Sequence, residues 1–244
     1  MTKTTTIVGP LAGLILGLAA HAGAQTMPAP LTRGFLNVNA GAQPATRTFS
    51  TSGRIPVYGE EATFEAAHHV GNGPVFDING GVNVRPNVAV AVGYTRFKAD
   101  EDATSIHSSV PSPLFINRPQ VQDQEVPGLN HKETSVYILG MFMVPVTEKF
   151  DVSLGIGPAF MKVKQDLVPR IEIPTNTQAA VPIVETQSKS TVGVNFTVDG
   201  AFLFTRRIGA GVFVRYMGAK ADLDAVPDLK IGGFQGGAGI RVRF

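Results

Sequence analysis

Six ionisable residues, Asp77, Asp151, Asp199, Arg215, Arg241 and Arg243, share one parity of segments whose other parity carries large apolar side chains. Asn37, Asn39, Asn79, Asn195 and Gln235 keep them company on that parity. Carboxylates and guanidinium groups enclosed together must pair or stay hydrated, because an isolated ion removed from water is very costly. Two chemistries follow: a fixed network of ion pairs filling an interior, or a hydrated path for water or small ions.

The other reactive residue types do not converge. His68 and His69 are adjacent, so on a strand they point to opposite faces and cannot share one metal ion. They and His131 read as exposed polar side chains. His107 with Ser108 and Ser109 offers the residue types of a lipid-modifying hydrolase, but in a Pro- and Ser-rich stretch that would not hold a nucleophile and base rigidly. The run Asp100-Glu101-Asp102 could draw divalent cations that bridge lipid headgroups, since hard cations prefer carboxylate oxygens; its default reading is a solvated strand end. The glycines from Gly232 to Gly239 lack the strand-to-helix context of a phosphate loop and read as tight strand packing. With no cysteine, thiolate chemistry and cysteine-ligated metal sites are excluded. No catalytic residue, metal or cofactor is expected.

The elements that must position the six ionisable residues follow from period-two alternation. Val192, Val194, Phe196, Val198, Phe202 and Phe204 alternate with Gly193, Asn195, Thr197, Asp199 and Ala201. Phe150, Val152, Leu154, Ile156, Pro158 and Phe160 alternate with Asp151, Ser153, Gly155, Gly157 and Ala159. The same holds for Ile208 to Tyr216, for Phe234 to Phe244, for Leu36 to Gln43 and for Phe76 to Val84. Val88 to Tyr94 and Val136 to Val146 are strand-like without a clear phase. In a soluble sandwich the second face would carry many Lys, Glu and Thr. Here it carries Gly, Ala, Asn and Ser with isolated charges, which suits a narrow crowded interior. Large residues facing lipid and polar ones facing inward, over about ten residues per segment, mark a transmembrane β-barrel. The rival is a soluble sandwich or carrier in which the apolar parity meets in a dry centre.

Composition agrees with export and with no polyanion partner. The chain has 244 residues, 43% hydrophobic and 16% charged, and its net charge of +2 comes from interspersed basic and acidic residues, so a nucleic-acid partner is not expected. Lys3, an apolar stretch from Ile7 to Ala20 and the small-residue endings Ala20-His21-Ala22 and Ala22-Gly23-Ala24 form the three parts of a cleavable secretory signal over residues 1–24. Residues 25–244 are then the barrel. No later segment makes a membrane helix: Val136 to Val146 is far short of the ~20 residues required and contains Pro145.

Short links at Arg85-Pro86-Asn87, Thr147-Glu148-Lys149 and Thr205-Arg206-Arg207 alternate with long ones at about 102–130 and 167–187 and a smaller one at 222–229. Taking the short links as periplasmic turns predicts eight antiparallel up-and-down strands: 34–50, 61–84, 88–100, 131–146, 149–166, 188–205, 207–222 and 229–244. If Gly71 and Gly73 mark a turn instead of a kink, the count rises to nine or ten.

The alternation, the turn rhythm and the ending Gly239-Ile240-Arg241-Val242-Arg243-Phe244 resemble small bacterial outer-membrane β-barrel proteins of the outer membrane protein A and X type. The resemblance implies a bacterial outer-membrane location, contact with outer-membrane lipid and lipopolysaccharide, and delivery by periplasmic chaperones to the barrel-assembly machinery. It also implies that Gly239, Val242 and Phe244 form part of the assembly signal, although Gly237 stands where a polar residue is usual. The expected role is structural or surface-interactive, with a polar plugged lumen and loops that could meet an extracellular ligand. A narrow pore for water, ions or small solutes, and a lipid-modifying enzyme, are the alternatives.

Overall fold

The structure is a computed structural model that describes residues 33–44, 47–100, 103–175 and 177–244, without the side chain of Asp100. The expected signal segment 1–24, with its cleavage between Ala22 and Ala24, lies outside the described residues, as do Glu101 and Asp102.

Twelve strands are described: β1 Gly34–Gln43, β2 Arg47–Val57, β3 Glu60–Val70, β4 Gly73–Arg85, β5 Val88–Asp100, β6 Thr104–Val110, β7 Gln120–Val126, β8 Asn130–Pro145, β9 Phe150–Glu172, β10 Val181–Leu203, β11 Ile208–Ala221 and β12 Leu229–Arg243. Eight of them close an antiparallel ring in the order β1-β12-β11-β10-β9-β8-β5-β4. β1 completes the ring, pairing Val38 with Ile240 of β12 on one side and with Ile78 of β4 on the other. Closure leaves no sheet edge, so every ladder N–H and C=O is satisfied within the ring, the condition for a sheet to sit in hydrocarbon.

The remaining four strands form a second sheet, β2-β3-β6-β7, which we call the crown. Within the ring the eight strands follow chain order, neighbour beside neighbour, as an up-and-down barrel requires; the correction is to the expected strand bounds and loops. The stretch 34–50 divides into β1 and the start of β2, and 61–84 divides into β3 and β4 around Gly71 and Asn72. The expected long loop at 102–130 holds β6 and β7, and much of 167–187 is the paired upper end of β9 and β10, running to Glu172↔Val181. Crown strands alternate in the ordinary soluble way: Ala62, Phe64, Ala66, His68 and Val70 of β3 are buried while Glu61, Thr63, Glu65 and Ala67 are exposed. Their apolar face packs on the β9–β10 extension, where Ala66, Ile106 and Leu129 meet Val168, and Phe64 and Val110 meet Ile171 and Ala180.

The two ends of the ring differ because their turns differ. At one end, Thr147 Oγ1 accepts the Phe150 N–H at 3.0 Å and Thr205 Oγ1 accepts the Ile208 N–H at 3.0 Å, so two hairpins use the same threonine-closed turn. At the other end the strands lengthen and the crown begins.

The predicted facing holds along the ring. Ile156, Val212 and Phe234 are 67%, 63% and 64% exposed on the outer surface, whereas Asp77 and Arg215 are 0% and 1% exposed inside. The two segments without a clear phase also sort: Val88, Val90, Val92, Tyr94, Val136, Ile138 and Phe142 face out, and Tyr137, Leu139 and Met141 face in. No helix among the described residues is long and apolar enough to cross a membrane; the outward apolar belt of the strands, about ten residues deep, is the feature of bilayer height.

The interior is less polar than predicted. From mid-barrel up to the crown, Tyr137, Leu139, Met161, Met217, Leu229 and Ile231 form a cluster with Leu223 and Val226 of the β11–β12 connection. An inward position filled with an apolar side chain needs neither partner nor water, so it closes space that polar groups would otherwise have to fill with bonds.

Candidate functional site

The structure places all six ionisable residues inside the ring and pairs them. Asp151 and Asp199 sit on β9 and β10, while Arg241 and Arg243 sit two apart on β12, so both guanidinium groups point inward from one strand. Arg243 Nη2 donates to both oxygens of Asp151 at 2.8 and 2.7 Å. Arg241 grips Asp199 with two atoms, Nε at 3.1 Å and Nη2 at 2.5 Å, and turns its Nη1 to Asn39 Oδ1 at 2.6 Å. Two-point contact fixes the plane of the guanidinium as well as its distance.

Asp77 of β4 is the hub. Its Oδ1 accepts from Asn39 and Asn79, both at 2.8 Å, and its Oδ2 accepts from Thr95 at 2.6 Å, Tyr137 at 2.5 Å and Arg215 at 2.7 Å. Arg215 reaches it from β11 across the lumen, donating also to Thr95, to Tyr137 at 2.8 Å and to Thr197 at 3.1 Å. The guanidinium carbon stands 4.6 Å from the Tyr137 ring centre and 5.3 Å from that of Phe213. Asn39 joins the two clusters, giving a connected path Asp199–Arg241–Asn39–Asp77–Arg215–Thr197–Asn195 through the barrel. Three carboxylates and three guanidinium groups in three ion pairs balance one another's charge. Of the other predicted polar positions, Asn37 donates to Asn79 at 2.9 Å and Gln235 to Gln43 at 2.9 Å.

A second buried ionic cluster lies nearer the crown, above the apolar belt, and the sequence reading missed it. Glu133 accepts from Arg47 at 2.9 Å and from the Gly232 N–H, and shares a 2.9 Å contact with His131, which also meets Gln165. Gly232 has φ +86°, a conformation glycine adopts without strain. Burial alone would raise the Glu133 carboxyl; His131, Arg47 and the Gly232 N–H outweigh it and hold the group below its usual range. Because Arg47 opens β2, this contact ties the crown to the barrel. Extending the inward parity of β8 back from Tyr137 through Ser135 to Glu133 and His131 would have exposed it.

His131 and His68 are therefore corrections: both are buried, not exposed. His68 stacks on Phe49 at 5.0 Å, while its neighbour His69 faces the other way towards Thr48. His107 lies on β6, not in an irregular loop, and meets Asp123 at 2.7 Å on the exposed face. Ser108 points to the opposite, buried face, where its hydroxyl donates to the Gln122 carbonyl, so this pair does not form a nucleophile–base arrangement. The three residues expected to belong to an assembly signal sit at the ring's seam: Gly239 pairs with Asn39, Val242 with Leu36, and Phe244 exchanges backbone hydrogen bonds with Gly34. Among the described residues no group of three or more His, Asp or Glu side chains is arranged to hold a metal ion.

No protein-family model matches the sequence, and no curated protein matches it significantly. Solved structures do match. The outer membrane protein OprG from Pseudomonas aeruginosa superimposes with a TM-score of 0.52 at 9% identity, over 87% of this chain and 97% of that one. Neisserial surface protein A gives a TM-score of 0.47 at 14% identity, over 86% of this chain and 97% of its own. At such identities the likeness to OprG establishes fold alone: this chain has the fold of small outer-membrane β-barrel proteins.

Proposed function

We propose that this protein is an integral barrel of a bacterial outer membrane whose lumen is a structural plug and whose crown is an external interaction surface. The observation that supports it most is the combination of an outward apolar belt with a neutral, mutually bonded set of three Asp and three Arg inside. Eight strands leave an interior that side chains can fill, and here ion pairs fill one part and apolar side chains another. Ions bonded to each other are poor steps for a permeating ion, which would have to break those bonds and supply its own hydration.

The crown supports the second half of the reading. It is a built sheet, not a set of irregular loops, and at the β6–β7 tip it presents Leu114, Phe115 and Ile116 at 82%, 59% and 80% exposure. Three successive large apolar residues kept in water at a projecting tip favour contact with another surface. The hydrolase reading is weaker, because Ser108 faces the other side of β6 from His107, and Ser109, on the face of His107, lies with it and Asp123 on an exposed sheet surface.

The chain has no cysteine, so a single introduced thiol reports sidedness. A membrane-impermeant maleimide should label Leu114→Cys on intact cells and leave Glu148→Cys, at a short turn, unlabelled until the cells are broken. The reverse pattern would refute the orientation. Discrete conductance steps from the purified protein in planar bilayers would refute the plug.

A further inference from the structure

The connection between β6 and β7 sets Leu114, Phe115 and Ile116 in succession among Pro111, Pro113 and Pro119. Its backbone is held from both sides. Ser112 Oγ accepts the Leu114 and Phe115 N–H groups, each at 3.2 Å. Asn117 turns the chain at φ +56°, and its N–H donates to Glu60 Oε1 at the start of β3 at 2.8 Å. Gln178 Nε2 reaches the Arg118 carbonyl at 3.5 Å, and the Arg118 guanidinium carbon lies 5.7 Å from the Phe115 ring centre. The three apolar side chains are therefore presented by a fixed turn.

The same bonds set its height. Tyr58, in the β2–β3 turn, donates to the Thr177 carbonyl at 2.9 Å, so the tip, that turn and the β9–β10 connection come level. The outward apolar belt ends on β9 at Phe160, in line with Val136 and Tyr94, and β9 runs on to Glu172. At about 3.3 Å per residue and a tilt of about 40°, that continuation rises about 30 Å. A headgroup layer is only about 5–8 Å deep. The tip is out of reach of the hydrocarbon that holds its own barrel.

Area and charge choose the occupant. At about 200 Å² per large side chain, the exposed parts of the three amount to about 450 Å² of apolar surface. A stable protein–protein interface takes about 800 Å² from each partner. A bilayer requires neither that area nor a matching pocket: apolar side chains enter it to the boundary between headgroups and acyl chains, about 5–10 Å deep, while a neighbouring cation meets lipid phosphate. Arg118 is placed for that contact, because among the described residues it forms no ion pair within 4.0 Å. The acidic residues nearby are engaged, Glu60 by the Asn117 N–H and Glu61 by Arg54 at 3.7 Å.

We propose that the β6–β7 tip inserts Leu114, Phe115 and Ile116 into the phospholipid surface of an apposed membrane, with Arg118 on its phosphates. This names the partner of the crown and rests on the reading of the crown as an external surface.

The test holds the full chain in nanodiscs and adds protein-free vesicles of phosphatidylcholine, with or without phosphatidylserine, reading co-flotation. The mobility difference between boiled and unboiled samples checks the fold of each variant. The wild type should float with both kinds of vesicle, and roughly threefold to fivefold better with the anionic kind. Leu114→Ser/Phe115→Ser/Ile116→Ser should weaken binding to both by roughly tenfold or more. Arg118→Gln should lose only the anionic preference. If the triple variant fails to fold, Ile116→Ser alone serves and should show a loss of roughly threefold or more. An environment-sensitive fluorophore on Ile116→Cys should shift to shorter wavelength when vesicles are added, and one on Glu148→Cys should not. A folded wild type that leaves vesicles unbound, a folded triple variant that floats undiminished, or tip-dependent pairing of nanodiscs without vesicles would each overturn the inference. Binding to cell membranes that protease treatment abolishes, with protein-free vesicles unbound, would overturn it in favour of a protein partner. All of these leave the barrel and its orientation standing. Labelling of Leu114→Cys only in broken cells would instead overturn the orientation on which the inference depends.

Discussion

Replacing Arg215 by methionine separates a dry plug from a wet passage. The guanidinium is 1% exposed and its partner Asp77 is 0% exposed, so the pair has left bulk water. Methionine retains much of the stem but deletes the ion pair and the bonds to Thr95, Tyr137 and Thr197. Removing one partner of a buried pair strands the other charge, at a cost of about 3–5 kcal/mol. The lower part of that range applies, because Asp77 keeps its donors from Asn39, Asn79, Thr95 and Tyr137. Asp77→Asn in the Arg215→Met background removes the stranded charge and should recover a substantial part of the loss, with a coupling of about 1–3 kcal/mol. The assay is equilibrium urea unfolding in lipid vesicles, with the folded fraction read from unboiled electrophoretic mobility. Lys220→Ala, which breaks an exposed pair, sets the baseline at about 0–1 kcal/mol. If Arg215→Met costs no more than that baseline, Asp77 is solvated and the lumen is a water path.

Three further outcomes follow from the same geometry. In Gly93→Ala the new methyl overlaps the Tyr137 ring, so urea unfolding should show a loss of about 1–3 kcal/mol from overpacking, together with a shifted Tyr137 absorbance as its hydroxyl leaves Asp77. The Glu133 carboxyl lies below its usual range when folded, so its stabilisation is complete above the unfolded-state value and disappears as pH falls through the folded value. Amide exchange at Gly232 and along β2 should accelerate below about pH 4, and Glu133→Gln should flatten that dependence; an identical pH profile in the variant counts against the clamp. Phe244→Ala should reduce the amount reaching the outer membrane severalfold, by fractionation, while refolding in detergent proceeds with near-wild-type yield; parallel loss in both would make Phe244 a stability residue and not an assembly signal.

Much of the barrel was legible in the chain because a strand's side-chain period is two and the bilayer imposes one solvent on one face. Val192 to Phe204 and Phe150 to Phe160 disclose their facing with no knowledge of neighbours. The crown was harder to read. Its strands show water one face, and one of them, β7 with Gln120, Val121, Gln122, Asp123 and Gln124, covers the other partly at most, so they lack the large lipid-facing residues that made the ring stand out. The alternation in β3, from Ala62 through Phe64 to His68, was present in the sequence, but it carried the soluble sign within a membrane pattern.

Parity alone determined that Asp77, Asp199, Arg215 and Arg241 face inward. Which carboxylate meets which guanidinium was decided only by closure of the ring: Arg215 and Asp77 are 138 residues apart and on strands that do not pair with each other. Ladder register propagates round eight strands, and the stagger at the β1–β12 seam sets the height of each inward side chain relative to those across the lumen. The same propagation aligned Arg96, Lys132, Lys162 and Lys164 on the outside, residues far apart in the chain that come level only when three strands pair. Local alternation sets a direction for each side chain; only the closed sheet sets its partners.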